Sequence, residues 1–132
     1  MRKPDPRNEA TVVLRRESLV GPVLGRVIGM LAARADAPVD RLDDVMLVSD
    51  AIAAHGPAHA ANGDALQVQI QTTEDELRLQ VGPLRKEGAT GMLAAAELPG
   101  VGNIVEQVAS EVTVQTEGDG EESLVILLRL GS

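Results

Sequence analysis

Two stretches in the first half of the chain repeat hydrophobic residues every three or four positions, the spacing of a helix with one buried side. The first extends from residue 20 to residue 31 and contains Val20, Val23, Leu24, Val27, Ile28 and Leu31. Gly21, Gly25 and Gly29 form a row on one side of the same helix. Glycine in a helix costs about 1 kcal/mol relative to alanine, so this row predicts close approach by another backbone. Packing on the protein's own sheet is the simpler interpretation, and a subunit interface is the alternative.

The second helical stretch is Val39 to Ala60, whose hydrophobic stripe consists of Leu42, Val45, Met46, Ser49, Ile52 and Ala53. Its opposite face is polar. We expect Asp40 to cap the first turn, where free backbone N–H groups and the helix dipole favour negative charge. Gly56 and Pro57 are expected to end the helix, because proline lacks an N–H donor and disfavours helical angles in the preceding residue.

Strands are predicted where hydrophobic and polar residues alternate. Ala10 to Arg16 is a first strand. Residues 66–71 and 77–81 alternate on either side of a polar turn, which predicts an antiparallel hairpin. Glu111 to Thr116 and Ser123 to Leu130 form a last hairpin around a Gly-rich turn at 117–120. These elements predict an α/β (α+β) two-layer sandwich, with a mixed, mostly antiparallel sheet and the helices on one face.

The composition restricts the function further. A chain of 132 residues suits one domain, which we place at residues 10–132 after a disordered leader at 1–9 that carries two prolines. There is no Phe, Tyr, Trp or Cys, so no aromatic ring can stack on a base and no disulfide can form. A formal charge of −8 disfavours a nucleic-acid backbone. No hydrophobic run is long enough to span a membrane, and we therefore expect a cytoplasmic protein.

The two histidines have a spacing that is found in metal sites. His55 and His59 are four residues apart, but Pro57 lies between them and no third ligand is evident. Two surface histidines at a helix end are the simpler interpretation, and no metal site is predicted.

Residues 42–60, LDDVMLVSDAIAAHGPAHA, resemble the first motif of the anti-sigma-factor serine kinases, in the histidine-kinase-like (GHKL, or Bergerat-fold) ATPase superfamily. Ser49 and Asp50 match the family's Ser-Glu pair, whose acidic residue orients or deprotonates the attacking hydroxyl. Ala54 stands where the family has an asparagine that helps to hold magnesium against the phosphates. His59 lies one residue later than the family's histidine.

The family's second motif, Asp-x-Gly-x-Gly, contains an aspartate that accepts the adenine amino group. The corresponding stretch here is Leu79 to Arg85, where Val81, Gly82 and Pro83 offer no carboxylate. The loop Arg85 to Leu93 occupies the position of the family's nucleotide lid.

The third motif is the best preserved. Gly100-Val101-Gly102-Asn103-Ile104-Val105 resembles the family's glycine turn, which opens a helix with its N–H groups toward the phosphates. Asn103 replaces the usual leucine. An ordinary turn before a helix is the alternative interpretation of this segment.

The resemblance implies an ATP and Mg²⁺ site at Ala54, Gly82, Gly100, Gly102 and Asn103, with Asp50 as the catalytic base. It also implies a sigma factor or an anti-anti-sigma protein as partner, and a homodimer formed through the first strand and first helix. Two of the three nucleotide motifs lack their key residue, so we expect a regulatory protein that acts by binding its partner. The alternative is an active ATP-dependent serine kinase that phosphorylates its anti-anti-sigma antagonist.

Overall fold

Five antiparallel strands form the main sheet in the computed structural model, which describes residues 8–15, 20–35, 37–61, 65–73, 75–98 and 102–130. The strands are β1 (Asn8–Leu14), β2 (Leu66–Thr72), β3 (Glu76–Leu84), β4 (Glu97–Leu98), β5 (Gly102–Asn103), β6 (Glu111–Thr116) and β7 (Glu122–Arg129). The main sheet has the order β1-β2-β3-β7-β6, and β4 pairs with β5 separately. Every pairing is antiparallel, so the expectation of a mixed sheet is wrong for the described residues.

The first strand begins earlier than its sequence suggests. Asn8 pairs with Thr72 and Glu9 pairs with Gln71, so residues 8 and 9 belong to β1 and not to a leader. The alternating residues of the neighbouring strand provide the partners for this extension. Residues 1–7 of the expected leader lie outside the described residues.

The helices are α1 (Val20–Arg34), α2 (Val39–His55), α3 (Gly88–Ala95) and α4 (Ile104–Val108), with one turn of 3₁₀ helix at Pro57–His59. They cover one face of the sheet, and the core lies between the two layers. Its fully buried large side chains include Leu24, Ile28, Ile52, Leu66, Ile70, Leu77, Leu79, Met92, Leu124 and Ile126. Both predicted hairpins and the two-layer α/β sandwich are confirmed.

Helix α2 starts at a different cap from the one expected. Pro38 is the N-cap, with an extended backbone at φ −62° and ψ 155°, and its carbonyl accepts hydrogen bonds from the N–H groups of Arg41 and Leu42. Asp40 therefore lies within the first turn and makes no cap hydrogen bond, although its charge still suits the helix dipole. The end of the helix at Gly56 is confirmed, since the Gly56 N–H donates to the carbonyl of Ile52.

The buried stripe of α2 is also rotated slightly from the predicted one. Val48 and Ala51 are buried, whereas Met46 is 38 % exposed. Met46 lies instead against α1, at the rim of the core. A Cβ on Gly25 would come 2.8 Å from its Cε atom, and one on Gly29 would come 3.8 Å from its Sδ atom.

These distances show that the nearest neighbour of two of the three glycines in α1 is helix α2 of the same chain and not the sheet. Only Gly25 shows a close approach, to the end of the Met46 side chain, because the 3.8 Å at Gly29 is an ordinary van der Waals contact. The expectation of packing on the sheet is therefore wrong for these two residues. The surroundings of Gly21 lie outside the described side chains.

The segment expected to be a lid loop is largely helical. Only residues 85–87 form a loop before α3, and three residues of this helix, Gly88, Ala89 and Met92, are buried. Glu122 on β7 accepts a hydrogen bond of 3.0 Å from the Ala89 N–H. Burial and this long-range hydrogen bond therefore stabilise a helix whose glycines disfavour it locally.

Candidate functional site

Asp50 and Ala54 lie one turn apart on the exposed side of α2. Their i, i+4 spacing places them on the same stripe, as the first motif requires. Ala54 offers no oxygen that could bind a magnesium ion. Asp50 is exposed to solvent, where its carboxylate is accessible to a partner or substrate.

Ser49, the other residue of that motif, points the opposite way. It is fully buried, and its Oγ atom lies 3.6 Å from the position that a Cβ on Gly25 would take. This hydroxyl forms no hydrogen bond among the described residues. The Ser49–Asp50 pair thus has one member facing α1 and one facing solvent.

Asn103 occupies the start of α4, in the segment that resembles the third motif. Its Oδ1 accepts hydrogen bonds from the N–H groups of Val105, at 3.0 Å, and Glu106, at 3.2 Å. Its Nδ2 group donates to the carbonyl of Leu93 at 2.7 Å. Asn103 is therefore an N-cap that satisfies two N–H groups of the short helix α4 and fastens it to α3.

Gly102 precedes this cap with a positive φ of 91°, a conformation that glycine adopts without strain. It pairs with Leu98 in the small β4–β5 ladder. A Cβ here would come 3.0 Å from the Nε2 atom of Gln107. The conformation explains why this position is glycine, because the Gln107 side chain is flexible and could move away from a Cβ. Gly100 lies outside the described residues.

An open groove of about 490 Å³ lies beside the α4 start, between α3 and α4. It is lined by Thr90, Leu93, Ala94, Glu97, Asn103 and Glu106. Two of these side chains are carboxylates and none is a lysine or arginine. The groove therefore repels a phosphate group electrostatically.

The stretch Leu79 to Arg85, which was compared with the family's second motif, includes the C-terminal part of β3. Val81 is fully buried in the core, whereas Gly82 faces the opposite side of the sheet, which the helices do not cover. A Cβ on Gly82 would come 2.8 Å from the Oγ atom of Ser123. The structure thus does not bring a side chain at position 82 to the exposed stripe of Asp50 and Ala54.

The uncovered side of the sheet has a groove of its own, of about 240 Å³. Glutamine side chains dominate its lining, which consists of Gln67, Gln69, Gln80, Gly82, Pro83, Glu117 and Ser123. The alternation of glutamine with hydrophobic residues predicts a polar face. The sequence gives no sign that Glu117 and Ser123 join this face, because they come from the distant β6–β7 hairpin.

His59 follows α2 and contacts α3. Its ring atoms Cε1 and Nδ1 lie 2.8 and 3.0 Å from the position that a Cβ on Gly91 would take. Burial lowers the pKa of His59 from its ordinary 6.5, and the nearby charges of Arg85 and His55 lower it further. His59 is thus a half-buried histidine whose ring packs against α3 and whose lowered pKa favours the uncharged form.

Sequence reasoning recognised Asn103 only as a substitution in the third motif. An asparagine directly before a helical stretch is itself a cap signal, and this signal could have predicted its role. Glu122 was missed because it lies 33 positions away from Ala89, the residue whose N–H it accepts. No local pattern connects these two residues.

No protein-family model matches this sequence, and no curated protein matches it either. Within the described residues, none of the helices is both long and apolar enough to cross a membrane. The same part of the chain contains no group of three or more His, Asp or Glu side chains that could hold a metal ion.

Proposed function

We propose that this chain is a regulatory, anti-sigma-type protein that acts in the cytoplasm by binding a sigma factor or an anti-anti-sigma partner, and that its nucleotide site is degenerate. The order of its elements supports the proposal. A strand, two helices and a hairpin are followed by helix α3, the short β4–β5 ladder, helix α4 and a last hairpin. The family resemblance implies this order, and the residues that resemble its first motif are mostly those of α2.

The observation that carries the proposal is the occupation of the α4 start by Asn103. A phosphate bound at a helix start needs free backbone N–H groups. Here the N–H groups of Val105 and Glu106 already donate to the Asn103 side chain. A phosphate would have to displace that side chain and also approach the carboxylates of Glu97 and Glu106. Binding without nucleotide therefore suits this surface better than phosphate transfer.

Affinity capture followed by reconstitution tests the proposed function. The full chain is immobilised and exposed to an extract of its native cell with and without Mg-ATP, and retained proteins are identified by mass spectrometry. We expect a sigma factor or an anti-anti-sigma protein to be retained equally in both conditions. The purified pair should then bind without nucleotide in titration calorimetry.

Two outcomes contradict this function. If no sigma factor or anti-anti-sigma protein is retained, the proposed class of partner is wrong. Transfer of labelled phosphate from ATP to a serine of the captured partner would favour the alternative kinase, particularly if Asp50→Ala abolished transfer while binding persisted.

We also propose that the chain is a homodimer that pairs through β1 and α1. The outer edge of β1 has no neighbour in the described sheet, and Val13 on this strand is 41 % exposed. Sedimentation equilibrium at tens of micromolar protein should give a dimer mass for the wild type and a lower mass for Val13→Lys. A wild-type monomer would contradict this assembly.

A further inference from the structure

Exposed hydrophobic side chains are concentrated on one side of the molecule. Seven large hydrophobic residues are exposed in the described chain, and five of them, Val23, Met30, Val39, Met46 and Leu47, lie on α1 and α2. Single exposed hydrophobic residues are normal on a protein surface, whereas a group of them marks an interaction site.

Helix α2 contributes a continuous exposed stripe. Residues 39, 43, 46, 50 and 54 follow spacings of three and four, and Leu47 lies beside them. Val39 is 73 % exposed and Leu47 is 44 % exposed. We call these six residues, Val39, Asp43, Met46, Leu47, Asp50 and Ala54, the α2 outer face.

The charge on this face is of one sign. Asp43 and Asp50 lie within the stripe and Asp40 lies at its edge, and all three side chains are exposed. None of them pairs with another described residue, since the ion pair of this helix joins Arg41 to Asp44. The net charge of −8 adds to the negative potential here.

Met46 gives the face an adaptable centre. Its thioether end lies against Gly25 and Gly29 of α1, and the side chain is 38 % exposed. Methionine has three rotatable bonds and a polarisable sulfur, so it fits partners of different shapes.

From these features we propose that the α2 outer face docks a basic amphipathic helix of a protein partner. The hydrophobic side of such a helix would cover Val39, Met46 and Leu47, and its lysine or arginine residues would pair with Asp43 and Asp50. In this mode of recognition the hydrophobic side of an amphipathic helix packs on an exposed helix face, and charge complementarity selects the partner. The proposal rests on the proposed function only for the identity of the partner, a sigma factor or its antagonist.

A peptide experiment tests the surface without that identity. The probe is a helical peptide of about 18 residues, five turns long, with leucines on one side, lysines on the other and one tryptophan among the leucines. Because the protein contains no aromatic residue, the fluorescence of this tryptophan is observed without background. We expect a saturable blue shift with a Kd of about 10–100 μM.

Matched variants locate the binding. Asp43→Asn combined with Met46→Gln should weaken binding about tenfold, because an exposed charge pair and a partly buried methionine each contribute a few-fold. The control combines Glu117→Gln with Val114→Thr on the β6–β7 hairpin and should change Kd less than about twofold. A peptide with glutamate in place of lysine should bind at least about tenfold more weakly. Circular dichroism melting confirms that each variant is folded, and Asp43→Asn alone replaces the double variant if that one is unstable.

The proposal fails if the wild type does not bind the basic peptide at millimolar concentration. It also fails if both variants weaken binding equally, or if the acidic peptide binds as well as the basic one. If Met46→Gln converts a wild-type dimer to a monomer in sedimentation equilibrium, a second copy covers this face and the proposal is overturned. Failure of sigma-factor capture with peptide binding intact would refute the proposed function alone.

Discussion

Replacing Asn103 by alanine is expected to destabilise the protein by about 2 kcal/mol. Loss of an N-cap side chain costs about 1 kcal/mol. The same substitution removes the 2.7 Å hydrogen bond to the Leu93 carbonyl, which contributes about another 1 kcal/mol. An unfolding entropy of about 2.1 cal/mol/K per residue gives about 0.28 kcal/mol/K for 132 residues. The midpoint of thermal unfolding should therefore fall by about 7 °C.

Thermal melting followed by far-ultraviolet circular dichroism measures this change, because the chain has no aromatic residue to report its unfolding. Glu106→Ala is the matched control: it removes an exposed side chain of α4 but leaves the cap intact, so its midpoint should stay within about 2 °C of the wild type. Asn103→Asp retains the acceptor but loses the donor to Leu93, and should give an intermediate midpoint. Equal midpoints for Asn103→Ala and Glu106→Ala would refute the assigned role of Asn103.

Three further predictions concern ligand, core and pH. Millimolar Mg-ATP should not raise the midpoint of thermal unfolding. For comparison, a ligand at one hundred times its Kd would raise the free energy of unfolding by about 2.7 kcal/mol. A rise of several degrees with ATP and not with GTP would favour the kinase. Ser49→Ala should leave the midpoint unchanged or raise it by a few degrees, because it removes a buried hydroxyl that has no partner among the described residues. A clear fall of the midpoint measured by calorimetry would contradict this prediction. Since the pKa of His59 is lowered in the fold, its stabilising effect is complete above its unfolded value of about 6.5 and is lost as the pH falls through the folded value. The His59→Gln midpoint should accordingly decrease less than that of the wild type between about pH 7 and pH 5, and parallel curves would argue against it.

Elements with a clear local period could be predicted from the sequence. The β2–β3 hairpin alternates leucine, valine and isoleucine with glutamine and arginine, and its register in the sheet follows that alternation. Helix α2 ends where Gly56 and Pro57 predict. The register of the hairpin and the end of the helix depend only on neighbouring residues, because alternation and proline geometry act locally.

Features that depend on distant residues could not be predicted. Helix α3 has a glycine-rich sequence, and it forms where Met92 is buried and Glu122 supplies a cap from another part of the chain. The spacing of Gly25 and Gly29 indicates close approach but cannot show whether the neighbour is sheet, helix or second subunit. Of the candidate site, the α2 stripe was predictable, and the cap role of Asn103 follows from its place directly before a helical stretch. Its hydrogen bond to the Leu93 carbonyl was not predictable, because that residue lies ten positions away on another helix.

The glutamine-lined side of the sheet gives the molecule two surfaces that differ in their response to ionic strength. Gln67, Gln69 and Gln80 are neutral amides at every accessible pH, so contacts made through them are little affected by salt. The aspartates of α2 act over a Debye length of about 10 Å at 0.1 M salt, and that range shrinks to about 3 Å at 1 M. Raising the salt concentration should therefore weaken a partner held by the aspartates of α2 more than one held by these glutamines.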